Sequence, residues 1–261
     1  MNSATLLSHY DRAELWPRAT GLDVKQAYAQ ALDVRGLRIA RGEQPSGYKI
    51  GFTNRSIWAR YNVDAPVWGS VYSSTLLHCK GLATVALEGV SQPRLEPEAV
   101  LCLSDVPPAN CSLEELFQCL DWIAPGFEIV QSHLPDWKFT AADAIADGSL
   151  HARLIVGEHI SIKQIAKSAE EFSRVLAQAS VNLSESGQRR ESGQGSAVLG
   201  DPLQALHYFL KELRQCPGAP DVQAGDVIPT GTWTDAWPIA VGQAWKAEFS
   251  HPLPSLAIRL V

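Results

Sequence analysis

The chain has 261 residues, of which 46% are hydrophobic and 19% charged, and its formal net charge is -6. These values are typical of a globular protein with a substantial apolar core, and the acidic balance argues against nucleic-acid and anionic-membrane partners. No apolar run approaches the roughly 20 residues that a membrane-spanning helix needs. A membrane partner is therefore not expected.

Cysteine usage indicates a reducing compartment. The five cysteines are odd in number and form no CxxC pair, and the N-terminus shows no secretory signal pattern. We therefore expect reduced thiols and a cytoplasmic location. The cysteines are Cys79, Cys102, Cys111, Cys119 and Cys216.

The first part of the chain, residues 1 to about 42, predicts helices. Apolar residues such as Leu22, Ala27 and Ala31 recur at helical intervals, and Asp23 is placed to cap a helix. We expect this segment to form a layer that packs on the rest of the chain or contacts another subunit.

A short strand follows, in which Tyr48, Ile50 and Phe52 alternate with Lys49. A lysine flanked by apolar residues and glycines lies either at a strand end or in a buried, functional position. Residues 54–60 predict a short helix.

Two carboxylates on the next apolar run form the most informative feature. Glu96 and Glu98 are two residues apart, so a strand would place both on one face. Such a pair is either a solvated strand end or a buried pair that needs protons, a basic partner or a divalent cation. Pro97 between them has no N–H for a ladder, which predicts an edge strand or a bulge.

Glu128 is a lone acid inside another strand-like apolar run, where an acid is rarely buried without a partner. It supplies a possible third carboxylate. The remaining pattern alternates short strands with helices, including one that Ser112 and Glu115 would begin as a capping box. We predict a single α+β domain over residues 1–261, with a helical segment at 1–42 and a mixed β-roll at 43–261.

The motifs of several enzyme classes are missing. There is no GxSxG elbow, HExxH motif, zinc-type Cys/His cluster, GxGxxG loop or P-loop. The acids and Lys49 instead suit a hard divalent cation that binds a 2-oxo acid, with an ammonium group beside the enolate.

Several motifs in a fixed order resemble the 2-keto-4-pentenoate hydratase and 4-oxalocrotonate decarboxylase group of the fumarylacetoacetate hydrolase superfamily. The resemblance covers nearly the whole chain beyond about residue 20. It is carried by Tyr48–Thr53, Val63–Pro66 with Gly69, Pro93–Glu98, Glu128–Val130, Asp136–Trp137, Asp143–Asp147, Ala197–Pro202, Ala224–Asp226 and Thr230–Gly231.

This resemblance implies a site and a fold. It places Glu96, Glu98 and Glu128 as ligands of Mg²⁺ or Mn²⁺. It implies catalytic roles for Lys49 and Asp147 and substrate binding by Thr53, Thr230 and Gly231. His151, beside the acid-rich segment, is a further candidate for substrate binding. The implied fold is the mixed β-sandwich roll of the superfamily with an N-terminal helical layer. A homo-oligomer is expected, and a complex with another enzyme of the same pathway is a further possibility.

Two departures from the group's pattern fall near the expected pocket. Gly148, Leu150 and His151 stand where the better-known hydratases have Asn, Ser and a smaller residue after the acidic segment. Ser73 and Ser74 stand where many members have an acid. These changes leave the metal ligands intact but affect the region that would position water.

The leading hypothesis is a metal-dependent hydratase that converts a 2-hydroxy-2,4-dienoate, through its 2-oxo form, into a 4-hydroxy-2-oxo acid. Decarboxylation of a 2-oxo-dienedioate is the alternative. An acylpyruvate C–C hydrolase, with His151 as the only candidate base, and a non-catalytic partner subunit are the remaining hypotheses.

Overall fold

The structure is a computed structural model that describes all residues from Met1 to Val261. Seven α-helices are present: α1 (Ser3–Arg12), α2 (Val24–Ala40), α3 (Trp58–Tyr61), α4 (Leu113–Gln118), α5 (Ala141–Ala146), α6 (Ala169–Gln178) and α7 (Pro202–Gln215). The predicted N-caps are confirmed, because Asp23 caps α2 and Ser112 caps α4, each in a capping box. No helix is long and apolar enough to cross a membrane.

Fourteen β-strands form two sheets. They are β1 (Pro45–Gly51), β2 (Val67–Tyr72), β3 (Leu76–His78), β4 (Leu82–Val85), β5 (Arg94–Leu103), β6 (Leu120–Val130), β7 (His151–Val156), β8 (Ile160–Ser161), β9 (Ser180–Glu185), β10 (Gln188–Gln194), β11 (Val227–Thr232), β12 (Trp237–Pro238), β13 (Ala244–Phe249) and β14 (Leu256–Leu260).

The larger sheet has the order β2-β1-β11-β5-β6-β7-β3, with β12 paired to β5 and β8 paired to β6. The smaller sheet has the order β10-β9-β13-β14-β4. Most pairs are antiparallel, whereas β1 with β11, β3 with β7 and β14 with β4 are parallel. The α+β prediction is confirmed, and the assignment to a single domain stays a prediction.

The apolar core is shared between the sheets and the helices α4, α6 and α7. Phe172 of α6 and Phe209 of α7 are fully buried in it, as is Leu183 of the smaller sheet. A second, smaller cluster joins Leu6 of α1 and Ala27 of α2 to α5. The N-terminal helices α1 and α2 therefore pack against α5, which precedes β7. They form the predicted N-terminal helical layer.

The strand with the acid pair lies in the centre of its sheet, so the edge prediction for Pro97 is wrong. β5 is flanked by β6 and β11. The irregularity lies in the neighbour: Pro229 pairs with Val100 and Thr232 pairs with Glu98, which leaves one extra residue in β11. This bulge turns the backbone of Gly231 out of the ladder and towards the β5 carboxylates.

Candidate active site

Three carboxylates converge on one face of the larger sheet. Glu96 and Glu98 share a face of β5, and the antiparallel register places Glu128 of β6 directly opposite Glu96. One carboxylate oxygen from each lies within 4.8 Å of the other two. Glu98 and Glu128 are almost fully buried.

Glu128 is oriented by two basic side chains. Its Oε1 accepts a hydrogen bond of 2.8 Å from His151 Nδ1 at the start of β7. Lys49 Nζ lies 3.1 Å from Oε2 and donates to the carbonyl oxygen of Ser149, also at 3.1 Å. The Lys49 contact lacks hydrogen-bond geometry, so Oε2 keeps no hydrogen-bond partner.

Glu98 is fixed by the β11 bulge. The Gly231 N–H donates to Glu98 Oε2 at 2.6 Å, and Glu98 Oε1 has no hydrogen-bond partner. Gly231 has φ of 103°, and a Cβ there would lie 2.0 Å from Thr53 Oγ1. Only glycine fits this position, because a side chain would be strained and would collide with Thr53.

The pKa values of the three acids are set by their burial, by their mutual repulsion and by the basic groups beside them. Burial raises the pKa of Glu96 to about 7 despite the Lys49 charge. Burial, with the charges of Glu128 and Glu96, holds the pKa of Glu98 well above its usual range. Burial also opposes ionisation of Glu128, but Lys49 and His151 outweigh it and lower the pKa of Glu128. The basic groups of the chain therefore offset the negative charge of Glu128 but not that of Glu96 and Glu98.

This donor set fits a hard divalent cation. Oxygen ligands from carboxylates are those that Mg²⁺ and Mn²⁺ prefer, and Glu98 Oε1 and Glu128 Oε2 are buried oxygens without hydrogen-bond partners. Buried polar atoms of this kind are rare unless a ligand completes them.

Lys49 is held in its charged form. Burial alone would lower the pKa of its ammonium group, but the facing charges of Glu128, Glu96 and Glu98 raise the pKa overall. Lys49 belongs to β1, which is the neighbour of β11, the strand that carries Gly231. Lys49 thus places a buried ammonium group at the wall of the carboxylate cluster.

A cleft with a volume of about 270 Å³ opens onto the cluster. Of the residues predicted for the site, Lys49, Thr53, Glu96, Glu98 and Gly231 line this cleft. Glu128 does not itself line the cleft, but it contacts Lys49 and lies close to Glu96 and Glu98, which do.

Three other predicted residues do not line the cleft, and the structure gives each a different position. Asp147 accepts from both the backbone N–H and Nδ1 of His133, at 2.9 and 2.6 Å. His151 lies behind Glu128 and bonds Thr75 Oγ1 through Nε2 at 2.9 Å. The Thr230 hydroxyl donates to the carbonyl of Ala99.

Asp147 and His151 instead line a separate, small cavity beneath the N-terminal helices. The predictions of direct catalysis by Asp147 and of substrate contact by His151 and Thr230 therefore have no support in the geometry.

Several residues of the site had no signal in the sequence. Thr75 bonds His151 through its hydroxyl group, and Ser149 accepts from Lys49 through its carbonyl oxygen. Both contacts depend on the packing of β2 against the segment before β7. The cleft wall beyond the carboxylates is largely aromatic and apolar. It includes Phe52, Tyr61, Trp137, Phe139 and Leu150, with Arg94 beside them.

The chain is similar in sequence to named hydratases and decarboxylases. It is 32% identical over 222 residues to the 2-hydroxyhexa-2,4-dienoate hydratase of Comamonas testosteroni, a match that covers 85% of this chain and 80% of that protein. It is 28% identical over 239 residues to a 4-oxalocrotonate decarboxylase of a Pseudomonas species, covering 90% and 88% of the two chains. No protein-family profile matches the chain.

Solved structures show the same fold. The 4-oxalocrotonate decarboxylase from Pseudomonas putida G7, complexed with magnesium and adipate, superposes with a TM-score of 0.88 at 22% identity, covering 99% of this chain and 95% of that one. The fumarylpyruvate hydrolase from Pseudomonas aeruginosa, in complex with Mn²⁺ and pyruvate, gives a TM-score of 0.62 at 13% identity, covering 82% and 88%. The predicted fold type is confirmed.

Proposed function

The chain belongs to the 2-keto-4-pentenoate hydratase and 4-oxalocrotonate decarboxylase group of the fumarylacetoacetate hydrolase superfamily, and on this premise we propose that it is a metal-dependent hydratase of 2-hydroxy-2,4-dienoic acids. The observation that carries the proposal is the convergence of three carboxylates beside Lys49, with two buried oxygens left without hydrogen-bond partners. Its relatives in the group are lyase-type enzymes, both hydratases and decarboxylases.

Glu96, Glu98 and Glu128 would hold Mg²⁺ or Mn²⁺ at the floor of the cleft. The bound cation supplies an electrophilic centre for the carboxylate and 2-oxo oxygens of the substrate. The Gly231 N–H and His151 keep Glu98 and Glu128 in place through one oxygen each, so their other oxygens stay directed at the cluster.

Lys49 would move the proton that the reaction needs. In the first step the 2-hydroxyl group loses its proton and C5 gains one, which converts the dienol into the 2-oxo-3-enoate. In the second step water adds across C3 and C4, with its oxygen on C4 and a proton on C3. Lys49 Nζ lies at the junction of Glu128 and the cleft, where it can donate to the enolate and neutralise its charge.

Decarboxylation of a 2-oxo-dienedioate is the second candidate. It is favoured by Leu150, which lines the cleft and offers no amide or hydroxyl group to hold an attacking water. Gly148 lines the separate small cavity instead. Hydrolysis of an acylpyruvate is disfavoured, because both ring nitrogens of His151 are occupied by Glu128 and Thr75. A cytoplasmic location, a homo-oligomer and a complex with a pathway partner remain predictions.

The test follows the ultraviolet absorbance of 2-hydroxypenta-2,4-dienoate with Mg²⁺ or Mn²⁺ and with a chelator. We expect metal-dependent loss of the dienol and formation of 4-hydroxy-2-oxopentanoate. Release of CO₂ from 2-hydroxyhexa-2,4-dienedioate without hydration of any dienoate would establish the decarboxylase instead. No turnover of either substrate class would identify a non-catalytic subunit.

A further inference from the structure

A row of aromatic rings forms the wall of the cleft away from the carboxylates. Phe52 stacks on Tyr61 with ring centroids 4.7 Å apart, and Tyr61 stacks on Phe139 at 5.6 Å. Trp137 continues the row at 6.0 Å from Phe139. All four residues are half-buried and line the cleft. Apolar surface that faces a concave site is surface that a ligand can cover.

The backbone that presents this wall adopts conformations that non-glycine residues rarely take. Phe52, Trp137 and Leu150 have φ of 58°, 59° and 67°, in the left-handed region. A hydrogen bond of 2.7 Å from Trp58 Nε1 to the Phe52 carbonyl holds one of these turns. Costly backbone conformations persist where the surrounding structure enforces them, and they concentrate at ligand sites. Three such residues supply apolar side chains to one cleft.

Two arginines lie against the same wall. Arg94 Cζ is 4.3 Å from the centroid of the Trp137 ring, and Arg60 Cζ is 5.5 Å from that of Tyr61. Neither guanidinium forms a salt bridge, and each lies over a ring at cation–π distance. An arginine can also bind a carboxylate, so these two side chains are compatible with an acidic substituent as well as an apolar one.

We propose that the cleft selects 2-hydroxy-2,4-dienoates that carry a planar apolar group, such as an aryl ring, on C5. This inference rests on the proposed hydratase function and names its substrate class. The 2-oxo acid end would lie at the carboxylate cluster and the C5 substituent would lie against the aromatic row. With a 5-phenyl substrate, protonation at C5 and addition of water at C4 give 4-hydroxy-2-oxo-5-phenylpentanoate.

The experiment uses the full chain with Mn²⁺ and three saturated analogues that cannot react: 2-oxopentanoate, 2-oxo-5-phenylpentanoate and 2-oxohexanedioate. Calorimetry gives each dissociation constant independently of turnover. We expect the phenyl analogue to bind about tenfold more tightly than 2-oxopentanoate, because its ring gains contact with several aromatic side chains. The dicarboxylate should bind no more tightly than 2-oxopentanoate.

Tyr61→Leu removes one ring from the row, and Tyr208→Leu is the matched control outside the cleft. We expect Tyr61→Leu to abolish most of the phenyl preference, measured as the ratio of the dissociation constants of 2-oxopentanoate and the phenyl analogue. The control should keep the preference. If thermal denaturation shows that the Tyr61→Leu variant is unfolded, Phe139→Leu removes the next ring of the row and provides the same test.

Equal binding of the phenyl analogue and 2-oxopentanoate would overturn the inference while leaving the hydratase proposal in place. Tighter binding of 2-oxohexanedioate, lost in Arg94→Gln, would also overturn it and would show that the wall binds a carboxylate. If 2-oxopentanoate itself fails to bind with Mn²⁺, the proposed function fails, and this inference fails with it.

Discussion

Two buried histidine–carboxylate pairs lie near each other in this protein, and only one belongs to the candidate active site. His151 Nδ1 is 2.8 Å from Glu128 Oε1, and His133 Nδ1 is 2.6 Å from Asp147 Oδ1. All four side chains are buried. Burial and pairing with a histidine therefore do not distinguish a candidate metal ligand from a structural carboxylate.

The difference lies in the second oxygen of each carboxylate. Asp147 Oδ2 accepts the backbone N–H of His133 at 2.9 Å, so both of its oxygens are bonded within the protein. Glu128 Oε2 has an ammonium neighbour but no hydrogen-bond partner, and it faces two further acids. A buried carboxylate with one fixed oxygen and one available oxygen is suited to a cation, whereas a fully bonded one anchors a turn.

The largest expected effect comes from removing the charge of each carboxylate. Glu128→Gln should lower Mn²⁺ affinity and kcat/KM by at least about a hundredfold, because it removes a charged ligand and leaves Lys49 with less compensation. Asp147→Asn should leave Mn²⁺ affinity within about threefold of the wild-type value. It should instead lower the free energy of unfolding by about 1–3 kcal/mol, since His133 loses a charged acceptor.

Calorimetric titration with Mn²⁺ and chemical denaturation check both variants. Mn²⁺ affinity of Glu128→Gln equal to that of the wild type would contradict the metal site. A hundredfold loss of affinity in Asp147→Asn, with unchanged stability, would contradict the structural role of Asp147.

The histidines should show the same contrast with a smaller effect. His151→Gln removes the group that orients Glu128, and we expect Mn²⁺ affinity to fall about 10- to 100-fold. Glutamine keeps a donor, so His151→Ala should lose more affinity than His151→Gln. His133→Gln is the matched control and should change thermal stability but not Mn²⁺ binding.

Equal Mn²⁺ affinities for the two glutamine variants would show that His151 has no positioning role. A change in the KM of the organic substrate alone, with metal binding intact, would restore the substrate contact that the sequence predicted for His151.

The convergence of the three candidate metal ligands could partly be predicted from the sequence, for a physical reason. The strand period places Glu96 and Glu98 on one face whatever the tertiary structure, and Glu128 has too apolar a context to be a solvated acid. The register that sets Glu128 opposite Glu96, and the extra residue in β11 that turns Gly231 towards Glu98, depend on non-local pairing. No local pattern contains them.

The same reason explains why some predicted site residues lie outside the cleft lining. Asp147 lies in an acid-rich stretch next to the site, but its direction is decided by His133, fourteen positions earlier in the chain. The cleft wall was missed because Phe52 and Trp137 reach it from left-handed backbone, which apolar periodicity does not predict. Local sequence thus identifies the side chains that share one face of a strand, and less often the direction of side chains in turns.

Glu43 is a further carboxylate that is bonded through both oxygens, and it lies near the protein surface. Arg38 donates to both oxygens, and Ser74 donates to Oε2 at 2.7 Å. Burial opposes ionisation of Glu43, but these donors and Arg41 lower its pKa to about 2. Because the folded pKa is below that of the unfolded chain, this group stabilises the fold above its ordinary pKa and loses that contribution as pH falls towards 2.

Glu43→Gln should therefore lower the free energy of unfolding by about 2 kcal/mol at pH 7 and by progressively less between about pH 5 and pH 3, measured by urea unfolding at each pH. Stability curves of the wild type and the variant that stay parallel across this range would show that the bonded oxygens of Glu43 do not stabilise its charge.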